Sequence, residues 1–365
     1  MFFYITFIDF SSSFGTGMDK KIKGQIAAMK KELGEIYFTL YSAPMLYLMD
    51  EEEVIMREVA PTRKDRISVL CDWMQKYGVE GTYIRHCHLD KWFMDLLKYQ
   101  KEHGIKTVLE IATYPYDKEL QNVISRTEDM CFRNEVCKYV DRIATYSSDR
   151  IIWGIPCIRL LNGISLQDIS LSRREKEKNK IVMIAISSMQ PWHGYERVLE
   201  GMYVYYKAGG AYDFRLKIIG NGSEEQYYKM LVEQYRLTSQ VEFLGRIEPW
   251  ETDKLNEQYN LSDIAIGSLG FYKTGIEEGS PIKGAEYCAK GIPFICGYHD
   301  LRFPSDWEYV MNVPNSSEPI DMDLLIDFYD SVAQKTNYKE EMRDFAMKHL
   351  TWDSIMRPVI DYFLK

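Results

Sequence analysis

Apolar residues in this chain gather in short runs separated by polar stretches with helical spacing. In the first half, Phe2 to Phe7, Ile36 to Leu40, Gly81 to Arg85, Thr107 to Ile111 and Arg142 to Tyr146 are β-rich and predict strands. Segments such as Lys20 to Glu32 and Asp90 to His103 fill the gaps as helices. A second series, Ile181 to Ile186, Arg215 to Ile219, Val241 to Leu244, Ile264 to Ile266 and Pro293 to Ile295, repeats the alternation. Between the two, LQDISLSRREKEKNK from Leu166 to Lys180 is charged and aperiodic, which predicts an interdomain linker. The alternation predicts an α/β class with two Rossmann-like, doubly wound domains of parallel strands, residues 1–168 and 178–349, facing across a cleft. No internal repeat or low-complexity tract breaks the pattern.

Composition agrees with two cores. A chain of 365 residues is long for a single core and suits two domains of roughly 150 to 200 residues each. With 46% hydrophobic and 14% aromatic residues it has apolar matter for both and lies well away from a disordered composition. The net charge of −9 argues against nucleic acid as the main partner, since that needs a strong basic field. Seven cysteines, an odd number with no CxxC pair, predict reduced thiols in a cytosolic protein. The first fourteen residues are apolar, but Asp9 interrupts them and no cleavage pattern follows, so a buried first strand is expected and not a signal peptide. No run of about 18 uncharged apolar residues occurs, so any membrane contact is expected to be peripheral.

The chemistry concentrates in EEGSPIKGAEYCAKGIPF, from Glu277 to Phe294. Ser280 reads as an N-cap, Pro281 as the first helical residue and Gly291 as the stop of a helix of about two to three turns. Its open amino end gathers unpaired N–H groups and a positive dipole, and Lys283 adds a full charge, which together make a seat for a diphosphate. Glu278 and Glu286 bracket that seat, where sugar hydroxyls can donate to them. The constellation suits a nucleotide-sugar; an amphipathic surface helix with solvated charges would show the same spacing. The loops GNG (Gly220 to Gly222) and FLGRIEP, with Arg246, follow strands, and ligands of open α/β sheets sit at such carboxyl ends, so Gly222 and Arg246 join the donor-side candidates. Gly15-Thr16-Gly17 lacks the third glycine of a dinucleotide fingerprint, and His86-Cys87-His88 has no nearby Cys or His partner for zinc. With no DxD-type pair beside a strand, no metal is expected, and the nucleotide-sugar is substrate and not cofactor.

Five segments carry a resemblance: FGTGMDKKIKGQ (Phe14 to Gln25), VLEIATYPYDKE (Val108 to Glu119), DRIATYSSD (Asp141 to Asp149) with LLNGI, PWHGYERVLEG (Pro191 to Gly201), and the stretch from Glu277. In order, they make the chain similar to the family-4 (group 1) glycosyltransferases of the GT-B fold, of the bacterial polysaccharide-biosynthesis type, over nearly its whole length. The resemblance implies that Glu286 binds the nucleotide ribose and Glu278 the transferred sugar. It implies that Lys283 and Lys273 meet the diphosphate, with Ser280 beside them and the loop Gly15, Thr16 and Gly17 closing over it. Transfer would retain the anomeric configuration without a metal, from a UDP-sugar by family frequency and a GDP-sugar next. The last helix, residues 350–365, resembles the family's crossover back to the first domain. Where many members carry an arginine and a Lys-Gly pair, this chain has Ser188 and His193. His193 is either a hydrogen-bonding catalytic group or a structural histidine beside Trp192. The family's acceptor-side histidine has no clear match, which leaves Glu110 or Tyr114 for acceptor contact.

Relatives with LEIATYPYDKE-like segments build capsule, exopolysaccharide or O-antigen on saccharide or lipid-linked saccharide acceptors, which implies a cytoplasmic protein at the inner face of the membrane. Lys20, Lys21, Lys23, Lys30 and Lys31, with Lys91, Trp92, Phe93 and Lys98, form either an interfacial patch or ordinary solvated helix faces. Two alternatives stay open: a non-catalytic GT-B partner subunit, and a sugar-nucleotide epimerase or hydrolase.

Overall fold

The computed structural model describes residues 1–7, 17–85, 88–117, 120, 122–167, 169–248 and 250–365. The chain divides into two units, Met1–Asn162 with Trp352–Lys365, and Gly163–Thr351.

In the first unit, the parallel centre of the sheet is β1 (Phe2–Ile5), flanked by β2 (Ile36–Ser42) and, on the other side, by strands that follow in chain order. β3 (Met45–Asp50) and β4 (Glu53–Val59) extend β2 as an antiparallel meander. Beyond β1 come β5 (Gly81–Arg85), β6 (Lys106–Ile111), β7 (Arg142–Thr145) and the edge pair β8 (Ile151–Ile152) and β9 (Ile155–Arg159), giving the order β4-β3-β2-β1-β5-β6-β7-β9-β8. Alternate side chains of the central strands enter different cores. Phe3, Ile5, Ile84, Leu109 and Ile143 pack with α2 (Arg63–Tyr77) and α3 (Lys91–Glu102). Tyr4, Tyr83, Val108 and Ala144 pack with α1 (Gly17–Leu33) and the C-terminal helix, Trp352–Leu364. Thr62 caps α2 in a reciprocal box with Asp65, and Asp90 caps α3 through the Phe93 N–H. α4 (Val123–Phe132) follows β6 and precedes a short 3-10 turn at Val136–Lys138. The β3–β4 meander, absent from the expected parallel pattern, is held by a short turn and has its outer strand largely exposed, so its polarity hides it from a search for buried runs.

The second unit is an all-parallel sheet of β10 (Lys180–Ile186), β11 (Asp213–Ile219), β12 (Val241–Gly245), β13 (Ile264–Ile266), β15 (Phe294–Cys296) and β17 (Val310–Asn312), in the order β12-β11-β10-β13-β15-β17. A two-residue pair, β14 (Glu278–Gly279) and β16 (His299–Asp300), stands apart from it. One face is covered by α5 (Glu196–Lys207), α6 (Glu225–Gln234) and α9 (Met322–Ala333); α8 (Ile282–Ala289) and α10 (Tyr338–His349) lie on the other, with α7 (Thr252–Asn260) following β12. The charged segment expected to be a linker is instead laid along this unit. Arg174 forks onto both oxygens of buried Asp263 at 2.9 and 3.0 Å, the Ser172 N–H donates to the Lys290 carbonyl, and Lys176 pairs with Asp330 at 2.6 Å. Arg174 and Lys176 find partners within the unit, so aperiodicity there does not mark a free linker, and the boundary falls nearer Asn162.

Gly24 in α1 lies against the C-terminal helix: a Cβ there would stand 2.0 Å from the Trp352 ring. Gly24→Val should lower the stability of this unit by about 1–3 kcal/mol, because the overpacked contact cannot relax without moving the indole. Urea denaturation, with faster proteolysis of the C-terminal helix, checks this.

Candidate functional site

In the second unit, the loops that follow β10, β11 and β13 are pressed together at the carboxyl end of the sheet. Gly194 has φ +65°, and a Cβ on it would lie 2.5 Å from the Gly270 nitrogen. The Gly270 N–H donates to the Trp192 carbonyl and the Leu269 N–H to that of His193. Gly222 serves the same end, since a Cβ there would fall 1.7 Å from the Ser188 carbonyl oxygen. Buried Arg197 ties the base of the assembly, donating to the carbonyls of Leu269 at 2.8 Å and Glu318 at 2.6 Å.

His193 is thereby buried, and its Nδ1 accepts the Gln190 N–H at 2.9 Å, which leaves the imidazole proton on Nε2. Burial, reinforced by the charge of Lys283, pushes its pKa down to about 3. It is a neutral donor at any physiological pH.

α8 starts one residue later than the spacing implied. Pro281, not Ser280, occupies the cap position and makes no side-chain cap bond. The Pro281 carbonyl accepts from Gly284 N–H and from the Arg302 guanidinium. Arg302 is itself locked to Asp300, and both are buried; a Cβ on Gly284 would sit 2.9 Å from Asp300 Oδ2. Pairing of β14 with β16 sets Glu278 opposite His299 and Gly279 opposite Asp300, so one short segment fixes both Glu278 and the helix start. Sequence reasoning missed Asp300, Arg302 and Arg197, because an Asp-Leu-Arg triplet or a lone arginine carries no spacing signal. Gly291, at φ +66°, ends α8 as its position implied.

Lys283 lies in the first turn of α8 with its Nζ buried and no hydrogen-bond partner among the described residues. Burial drives its pKa down to about 7 against the opposing pull of Glu286. Glu286 follows one turn on, and Lys290 one turn beyond it on the same face. Lys290, also depressed by burial to about 8 with Glu286 opposing, reaches the Asn256 side chain and lies 4.7 Å over the Tyr259 ring. Glu278 is exposed. Lys273, expected on the diphosphate, instead pairs with Glu196 at 2.5 Å, because the turn Phe271–Thr274 brings it beside α5. Arg246 is largely exposed and meets Glu248 at 3.0 Å. Gly15 and Thr16 lie outside the described residues, as do His86 and Cys87; Gly17 opens α1. A cavity of about 530 Å³ at the opposite, amino end of this sheet is lined by Arg174, Lys180 and Arg215, and each of these charges is paired.

In the first unit, Glu110 is not exposed for acceptor contact. It is fully buried, and its oxygens receive Arg85 at 2.6 Å, Tyr83 at 2.6 Å and Gln25 at 2.9 Å, with Lys21 at 3.5 Å. Burial alone would raise its pKa; the charges of Lys21 and Arg85 and the donated hydrogen bonds hold it below the usual carboxylate range. It anchors other groups. Tyr114 is half-buried with its ring 6.2 Å from Trp153.

Comparison with known proteins agrees with this architecture. Residues 168–300 match the family model described as glycosyl transferases group 1. The sequence matches none of the curated proteins. A glycosyltransferase from Rickettsia africae ESF-5 is similar in structure at 13% identity and a TM-score of 0.62, over 100% of this chain and 98% of that one. Anabaena Alr3699/HepE, solved with UDP, is similar at 10% identity and 0.61, over 100% and 99%. The catalytic domain of starch synthase IV from Arabidopsis thaliana, bound to ADP and acarbose, is similar at 12% and 0.60, over 100% and 98%. The group 1 glycosyl transferase match is confined to residues 168–300, and the whole chain shares the GT-B fold of these glycosyltransferases.

Lys283 binds fewer protons folded than unfolded between about pH 7 and its ordinary value of 10.5, so its contribution makes stability rise with pH across that window. Below pH 7 both states are protonated and the full burial penalty applies. Lys283→Met should therefore melt at a higher temperature than the wild type, by an amount worth a few kcal/mol near pH 7, a rough figure from the size of the shift, and the gap should close toward pH 10. Paired calorimetric melts from pH 6 to pH 10 test it.

Proposed function

We propose that this protein is a retaining, metal-independent hexosyltransferase that takes a sugar from a nucleoside-diphosphate sugar and delivers it to a saccharide or lipid-linked saccharide acceptor. The observation that carries the reading is the unpartnered, buried Lys283 Nζ in the first turn of α8, with the neutral Nε2–H of His193 near enough to feel its charge. A lysine and a helix amino end repel one another electrostatically, and a diphosphate relieves both. Glu286, one turn along, is positioned to accept from the ribose diol, and exposed Glu278 from the transferred sugar.

In the reaction, the acceptor oxygen forms its bond to the anomeric carbon as the bond from that carbon to the diphosphate oxygen breaks, on the same face of the sugar. The acceptor proton passes to a phosphate oxygen of the leaving diphosphate. No strong protein base is required, and the protein's part is positioning and charge stabilisation. Lys283 and the α8 N–H groups stabilise the charge that develops on the leaving group, and the His193 Nε2–H donates to a phosphate or sugar oxygen. A uridine donor is favoured: the similar Anabaena protein was solved with UDP, and the similar starch synthase with ADP. Among the described residues no helix is long and apolar enough to cross a membrane. We place the enzyme in the cytoplasm, with peripheral contact at the inner membrane face, in capsule, exopolysaccharide or O-antigen synthesis.

Calorimetry of UDP, GDP, ADP and CMP, with EDTA and with magnesium, tests the donor site. One nucleoside diphosphate is expected to bind equally in both, and Glu286→Ala to weaken it about 10- to 100-fold through loss of a charge-assisted contact. At pH 8, binding should take up protons, because the anion raises the pKa of Lys283 from about 7; titration in buffers of different ionisation enthalpy reads the proton count. Absence of binding to all four would overturn the enzyme reading in favour of a partner subunit, and conversion of donor without acceptor would favour an epimerase or hydrolase.

A further inference from the structure

Among the described residues, the polar cluster of the first unit holds more positive than negative charge. Arg85 is the last residue of β5 and the register partner of Glu110 on β6, so both stand at the carboxyl end of the parallel strands. Lys21 reaches them from the first turns of α1 and lies 3.5 Å over the Tyr146 ring and 3.5 Å from Glu110. Gln25 bridges the Tyr4, Tyr146 and Glu110 side chains. Two cations therefore share one carboxylate. The tyrosines do not correct the balance, since burial first, and then the Glu110 charge, drives the pKa of Tyr4, Tyr83 and Tyr146 upward and keeps them neutral.

An uncompensated cation removed from water is costly, and chains rarely keep one without a counter-ion. Glu110 is fully buried, whereas the side chains of Arg85 and Lys21 stay 10% and 11% exposed. Arg85 gives one N–H to Glu110 and hydrogen-bonds the Tyr4 hydroxyl, and no further acceptor for its fork is found among the described residues. A planar guanidinium fork suits a carboxylate or a phosphate, and ligands of doubly wound domains sit at this end of the strands.

We propose that Arg85 and Lys21 form a subsite for an oxyanion, a carboxylate or phosphate carried by the acceptor, and that Glu110 is the positioning residue that holds the two cations in place. The acceptor of the transfer is then an acidic saccharide or a phosphorylated one, an assignment that rests on the glycosyltransferase reading. Tyr83 and Gln25 fix the carboxylate from the other side, so the two cations keep a set spacing whether or not the anion is bound.

The test titrates the full chain, saturated with UDP to fill the seat at Lys283, with glucuronate, glucose 6-phosphate and glucose. The charged sugars should bind at least tenfold more tightly than glucose, and whichever binds better names carboxylate or phosphate. Arg85→Gln and Lys21→Met should each weaken that binding at least tenfold while UDP affinity is kept. Arg85→Lys retains a charge opposite Glu110, and so the fold, yet should lose at least threefold through loss of the fork. Equal binding of glucose, or no binding of charged sugars to a chain that binds UDP, would overturn the subsite and leave the donor reading intact. Loss of UDP binding in Arg85→Gln would also overturn it, by assigning Arg85 to the donor. Binding of charged sugars that depends on Arg85, in a chain that ignores every nucleotide, would support the subsite and remove the transferase reading.

Discussion

An ammonium group held out of water at the amino end of a helix is unfavourable twice over: it loses hydration, and it faces the positive end of the helix dipole. Lys283 is in that position in the second unit, and much of the surrounding structure can be read as what keeps it there. The Asp300–Arg302 pair clamps the cap carbonyl of Pro281 just before α8, β14 and β16 fix the approach to it, and Gly194 packs on Gly270 in the neighbouring loops. Buried Arg197 secures that loop from behind through two carbonyls. None of these contacts lowers the cost of the lysine. They hold it where a bound anion would.

The first unit meets a buried charge in the opposite way. Glu110 is surrounded by donors and cations until its ionised form is the favoured one, even at complete burial. The result is a rigid polar floor under the carboxyl end of β5 and β6, and the surplus positive charge sits on the two side chains that retain some exposure. One unit thus holds a cation lacking a partner, the other a carboxylate with more partners than it needs. Both arrangements stand at the end of a parallel sheet where doubly wound domains take their ligands.

Much of this was legible along the chain. Gly81 to Arg85 and Ile264 to Ile266 match strands to the residue, because short runs of β-branched and aromatic residues between polar stretches mark strands locally. Gly291 announced the end of α8 through its left-handed backbone. The strap from Leu166 to Lys180 misled, since charges that pair with a distant surface look the same in sequence as charges that face solvent. Lys273 misled for a related reason: its partner Glu196 is 77 positions away, and no local pattern links them.

The sequence by itself determined the α/β class, the two series of strands and the short helix that Gly291 ends, because periodicity and glycine and proline placement are local properties. Tertiary structure alone decided which charges are neutralised. It paired Lys273 and left Lys283 without a partner, buried Glu110 among donors, and lowered the pKa of His193, all through burial and neighbours far apart in the chain. Ionisation depends on desolvation and on the distances between charges, and both are set only when the strands and loops are packed.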